Sequence, residues 1–186
     1  MVIARQGLTL AEFLALPEEK PALEYFEGVV TQKVVPKARH SLLQGMLTQS
    51  VNQLAWPRKL ALAFPELRTT YQGASIVPDV SVFRWERIRL DANGEPEDDC
   101  YDPPDVAIEI RSPGQSVRRL VQRCEWYVAN GVALALLVDP LDRSVRLLSP
   151  GQAPRVLRGD DPIDLGAVVP ELRFTVNELF GALRLG

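Results

Sequence analysis

The stretch "DVAIEIRSP", residues 105–113, reads as a buried β-strand that carries an acid and a base among its aliphatics. A strand alternates its faces, so Val106, Ile108 and Ile110 point one way and Ala107, Glu109 and Arg111 the other. Glu109 and Arg111 then lie about 6–7 Å apart on one face, two strand rises. A buried carboxylate is costly unless it is paired or binds a cation. Two readings are open on the strand alone: Arg111 neutralises Glu109 as a structural pair, or both line a reaction site.

Outward from this strand, the pattern alternates helices and strands. Thr9 to Glu12 forms a capping box opening a short helix that Pro17 closes. "ALEYFEGVVTQKV" places strand-like residues on both sides of Gly28, as in a hairpin or bulge. Leu43, Met46, Leu47, Val51 and Leu54 recur at helical spacing before Pro57. "ELRTTYQG" and "SIVPDVSVF" read as two adjacent strands, and residues 84–104 as an acidic loop without the spacing of a calcium loop. A second amphipathic helix spans 116–130 and stops at Asn130–Gly131. "VALALLV" is a buried strand, residues 139–142 a turn, "RSVRLLS" the returning strand, and Thr175 to Glu178 caps a last helix. The expectation is a single α/β (mixed α+β) domain over 1–186: one central sheet flanked by two long helices.

The 186 residues suffice for a real core, and 46% hydrophobic residues with a mean hydropathy of −0.03 describe an ordinary globular chain. The sequence shows neither a membrane-length apolar run nor a signal peptide. Cys100 and Cys124 have neither metal spacing nor a disulfide framework, which suits reduced thiols in a cytoplasm. A net charge of −3 argues against a constitutive nucleic-acid binder, though not against an enzyme that touches nucleic acid through a local patch. The lysines are Lys20, Lys33, Lys37 and Lys59, and every basic residue after Lys59 is arginine.

Asp79 sits in "IVPDVSVF", one strand before Glu109, and Pro78 removes a ladder donor beside it. Two neighbouring strands that each deliver one carboxylate can hold a divalent cation through oxygen ligands, and such an ion can polarise a phosphoryl oxygen and activate a water. The pattern is Pro78–Asp79, a long gap, then Glu109–Ile110–Arg111.

At these residues the chain resembles the Uma-type restriction endonucleases, a bacterial group of the PD-(D/E)XK nuclease superfamily. The resemblance spans nearly the whole chain: "LTLAEFLALPEEKPALEYFEGVV", "RHSLLQGML", "AFPELRTTYQGASIVPDVSVFRWERI", "PPDVAIEIRSPGQS", "YVANGVALALLVDP" and "ELRFTVNELFG". It implies a restriction-endonuclease-like core and Mg²⁺- or Mn²⁺-dependent hydrolysis of a DNA phosphodiester. Asp79 and Glu109 would be metal ligands, Glu24 an additional acidic ligand or water-orienting group, and His40, the only histidine, an assisting group. It also implies a homodimer or higher homo-oligomer, since nucleases of this fold often pair two sites on two strands.

The chain departs from the family in its base. The motif lysine is replaced on the strand by Arg111, and the helix position that is commonly lysine corresponds to Arg123. Arginine stabilises phosphorane-like charge but does not titrate. Arg118 and Arg119 would contact the nucleic-acid backbone beside the site. The alternative is a catalytically impaired nuclease fold acting as an oligomeric scaffold, which the acidic balance and the missing lysine favour.

Overall fold

A computed structural model describes residues 5–186. In chain order it contains β1 (Arg5–Gln6), α1 (Leu10–Leu14), β2 (Leu23–Phe26), β3 (Val29–Gln32), α2 (Ala38–Ala55), β4 (Ala61–Pro65), β5 (Thr69–Tyr71), β6 (Ala74–Ile76) and β7 (Val80–Arg84). There follow β8 (Val106–Ile110), α3 (Val117–Ala129), β9 (Leu134–Asp139), β10 (Ser144–Leu148), β11 (Arg155–Leu157), β12 (Pro162–Asp164), β13 (Arg173–Thr175) and α4 (Val176–Gly181). Both expected capping boxes are formed, Thr9 with Glu12 on α1 and Thr175 with Glu178 on α4.

The central sheet is six-stranded and mixed, in the order β11-β10-β9-β8-β7-β4, with β8 and β9 parallel and the other neighbours antiparallel. Strand alternation in β8 decides what packs on each face. Val106, Ile108 and Ile110 join Leu43, Leu47 and Val51 of α2 in one core, which the segment from Ile163 to Phe180 also covers. Ala107 faces the other way, with Leu120, Cys124 and Tyr127 of α3. Glu109 shares that second face, so it emerges beneath α3.

A second sheet, β1-β3-β2-β6-β5, was not foreseen. Its hairpins are set by two-residue turns: Glu27–Gly28 and Gln72–Gly73 all have positive φ, the pattern of a type I′ turn. This sheet packs on α3 through Phe26 and Tyr71, whose rings each lie 5.2 Å from that of Trp126. "SIVPDVSVF" is therefore not one strand. It is β6 in the second sheet and β7 in the central one, broken at Val77–Asp79, where Pro78 cannot donate to a ladder.

The strand β4 also escaped the sequence reading, because its short apolar run follows Pro57 without a period of its own. It forms an edge of the central sheet, and Asn52 of α2 closes that edge by donating to the Ala63 carbonyl (2.9 Å) and accepting from the Ala63 amide (2.7 Å). Asn52→Ala should lower the unfolding free energy by about 1–3 kcal/mol, because it strands two backbone groups. Urea titration checks this; an unchanged midpoint would show that water satisfies Ala63 equally well.

Candidate active site

A cleft of about 370 Å³ opens where the two sheets meet under α3, and Glu24, Lys33, His40, Asp79, Glu109 and Arg123 all line it. Each arrives from a different element. Glu24 is on β2, Lys33 just past β3, His40 in the first turn of α2, Asp79 immediately before β7, Glu109 on β8 and Arg123 on α3.

Asp79 is the most heavily bonded. Its Oδ1 accepts from Lys33 Nζ at 2.7 Å, and its Oδ2 accepts from the Ile110 amide at 2.7 Å and faces His40 Nε2 at 3.0 Å. Gln44 of α2 donates to the Asp79 carbonyl, fixing the backbone as well. Glu24 is gripped by Arg123, whose NH1 and NH2 both reach it, and its Oε1 also accepts from the Val77 amide at 2.8 Å. Glu109 Oε1 accepts from Tyr127 Oη at 2.5 Å and lies 2.8 Å from Arg123 Nε. Arg123 and Tyr127 stand at i and i+4 on α3, so one helix face delivers both.

Three buried acids thus meet two permanent cations. Burial opposes the charge on Asp79, but His40 and Lys33 outweigh it and hold the carboxyl down at about 2. Burial opposes charge on Glu24 too, and Arg123, Lys33 and the Val77 amide again prevail, leaving its carboxyl below the ordinary value. Glu109 goes the other way: burial, with the charges of Asp79 and Glu24, raises its carboxyl above the ordinary value despite Arg123 and Lys33. Lys33 suffers from burial, yet Asp79, Glu109 and Glu24 keep its ammonium more firmly protonated than a free lysine.

The expected residues Glu24, His40, Asp79, Glu109 and Arg123 are brought together; Arg111 is not. The strand β8 ends at Ile110, and Arg111 turns away, its NH1 2.8 Å from Asp139 Oδ2 and its Nε donating to the Gln115 carbonyl. The partner of Glu109 is Arg123, so neither reading of the 109–111 pair holds as framed. Arg119 lines the cleft, whereas Arg118 is exposed on α3 outside it. Lys33 and Tyr127 were missed as site residues. The hairpin register held a signal for the lysine: Glu24 faces Thr31 across β2 and β3, and Lys33 is two residues further along the same side.

The donor set suits a hard divalent cation only in part. Glu109 Oε2 has no hydrogen-bond partner among the described residues, and Asp79 Oδ1 is held by a flexible lysine rather than by backbone. Carboxylate oxygens of this kind fit Mg²⁺ or Mn²⁺. Both oxygens of Glu24 are engaged by Arg123, and among the described residues no group of three or more His, Cys, Asp or Glu is arranged to hold a metal ion. Glu24 therefore clamps Arg123 here, in place of the third ligand the sequence suggested.

Comparison with known proteins follows the same line. The Uma2 family model, described as "Putative restriction endonuclease", matches residues 10–177. The crystal structure of a "putative nuclease belonging to DUF820" from Anabaena variabilis ATCC 29413 is similar at a TM-score of 0.92 and 36% identity, covering 96% of this chain and 100% of that one. A similarity to the cryo-EM structure of a DrdV–DNA complex has a TM-score of 0.38 and 12% identity over 75% of this chain and 10% of that one, too slight to bear on the fold. No curated protein matches. Among the described residues, no helix is long and apolar enough to cross a membrane.

Proposed function

Because the chain belongs to the Uma2 family of restriction-endonuclease-like proteins, we propose that it is a Mg²⁺- or Mn²⁺-dependent DNA endonuclease of the PD-(D/E)XK type, working in the cytoplasm. The observation that carries the reading is the convergence of Asp79 and Glu109, from neighbouring strands, with Lys33 and Arg123 in one cleft. Asp79 Oδ1 and Glu109 Oε2 would hold the cation, which supplies Lewis acidity to a phosphoryl oxygen and to water. The chain's own residues do the rest. His40 and the Ile110 amide fix the Asp79 carboxylate, and Glu24 with Tyr127 orients the Arg123 guanidinium, a charge suited to a phosphate. Arg119, which lines the cleft, would meet a backbone phosphate. Pairing of two copies, each cutting one strand, belongs to the same proposal.

The second reading, a catalytically silent scaffold, draws support from Arg123, whose guanidinium is already occupied by Glu24 and Glu109. Nicking of supercoiled plasmid with Mg²⁺, Mn²⁺ or chelator separates the two. Under the nuclease reading Arg123→Lys should raise the rate about tenfold, since a lysine amine can titrate. Arg111→Lys should leave it unchanged, because Arg111 serves Asp139 outside the cleft. No cleavage by wild type or Arg123→Lys with either metal would favour the scaffold.

A further inference from the structure

Lys33 stands between two cavities. One side is the cleft; the other is a larger groove, about 780 Å³, lined in part by Val34, Phe64, Glu66 and Val77. Its Nζ donates to Asp79 Oδ1 at 2.7 Å and to the Val77 carbonyl at 2.8 Å. On the groove side Glu66 Oε1 is already 3.9 Å away. The two carboxylates differ in setting: side-chain exposure is 4% for Asp79 and 50% for Glu66, with Lys33 at 12% between them. Glu66 makes no other ion pair among the described residues, and its amide donates to the Asp79 carbonyl (3.2 Å), tethering it to the same strand start.

This arrangement bears on the metal proposed above, and the inference rests on that reading. Asp79 Oδ2 is committed to the Ile110 amide and His40, so Oδ1 is the oxygen left for a cation, and Lys33 holds it. An ammonium and a divalent ion repel strongly at adjoining positions in a low-dielectric cleft. The lysine must leave for the ion to enter, and its four-carbon stem allows that.

We infer that Lys33 and Glu66 form a cation exchanger: the ammonium neutralises Asp79 while the metal is away and transfers to Glu66 when a divalent ion takes Asp79 Oδ1. Glu66 is then a positioning residue that sets metal affinity through Lys33 without touching the metal. No covalent bond is made or broken; the Lys33 hydrogen bond to Asp79 Oδ1 gives way to coordination of the ion, and the displaced ammonium is accepted by a carboxylate already within reach.

Mn²⁺ binding to the full chain, followed by calorimetry and by the electron paramagnetic resonance of free Mn²⁺, tests this without an activity readout. Removing the competitor in Lys33→Met should tighten Mn²⁺ binding about tenfold or more. Removing the acceptor in Glu66→Gln should weaken it several-fold, and Glu66→Asp should restore part of the loss. In the Lys33→Met background, Glu66→Gln should have no effect. Wild-type binding that Lys33→Met leaves unchanged or weakens would overturn the exchanger while leaving the metal reading intact. A Glu66→Gln effect that persists without Lys33 would also overturn it, since Glu66 would then act on the ion directly. Absence of Mn²⁺ binding in both wild type and Lys33→Met would end the exchanger and the metal reading together.

Discussion

Replacing Asp79 with asparagine is expected to lower the unfolding free energy by roughly 3–5 kcal/mol and to abolish cleavage, the largest joint effect of any single substitution in the cleft. The carboxylate is buried and receives Lys33, His40 and the Ile110 amide. An amide of the same shape turns its own donor toward one of these donors and removes the charge that balances Lys33. The pH dependence has a definite sign. A carboxyl depressed from 3.8 to about 2 contributes about 2 kcal/mol of stability above its unfolded value, lost as pH falls through the folded one. The gap between wild type and Asp79→Asn should therefore narrow as pH drops from 4 toward 2. Urea unfolding of both proteins across that range measures it, and a gap independent of pH would mean that Asp79 is not ionised in the folded chain.

Glu109→Gln should behave in the opposite way for stability. Asp79, Glu24 and Glu109 face only Lys33 and Arg123 as permanent cations, so removing the third acid brings the cluster into balance. Arg123 keeps its fork on Glu24, and the Tyr127 hydroxyl still finds an oxygen at position 109. Because the Glu109 carboxyl is raised, its contribution is fully favourable at pH below the unfolded value and declines as pH rises through the folded one. Thermal melts should show Glu109→Gln equal to wild type near pH 4 and equal or more stable at pH 8. The stabilisation by Mn²⁺ expected of wild type should vanish in the variant. Cleavage should fall by on the order of 100-fold or more. A large drop in melting temperature without metal would show instead that Glu109 is a structural partner of Arg123.

The pair of positions that opened the sequence reading shows how far sequence carries. Glu109 was legible because strand alternation alone puts it opposite the aliphatics of β8. Arg111 was misplaced because the same alternation was extended one residue beyond the strand's end. Asp79 was legible from Pro78, although the two strands that flank it were read as one. A break between sheets leaves no period in the sequence, only a proline, and the stretch is apolar on both sides of it. Lys33 was hidden for a different reason. Its contacts lie 44 and 46 residues away in Val77 and Asp79, and only the register of the β2–β3 hairpin points it toward Glu24.

The break at Val77–Asp79 also has a consequence for the order of assembly. Glu24 and Arg123 are 99 residues apart, Lys33 and Asp79 are 46 apart, and each pair depends on both sheets being in place. The hairpins at Glu27–Gly28 and Gln72–Gly73 close locally, whereas these charge pairs close only after long loops have been ordered. The cleft is thus expected to form late in folding, with its interactions absent from the transition state. The stability lost in Asp79→Asn should accordingly appear as faster unfolding with an unchanged folding rate, making the buried charge cluster a lock on the finished molecule rather than a guide to its formation.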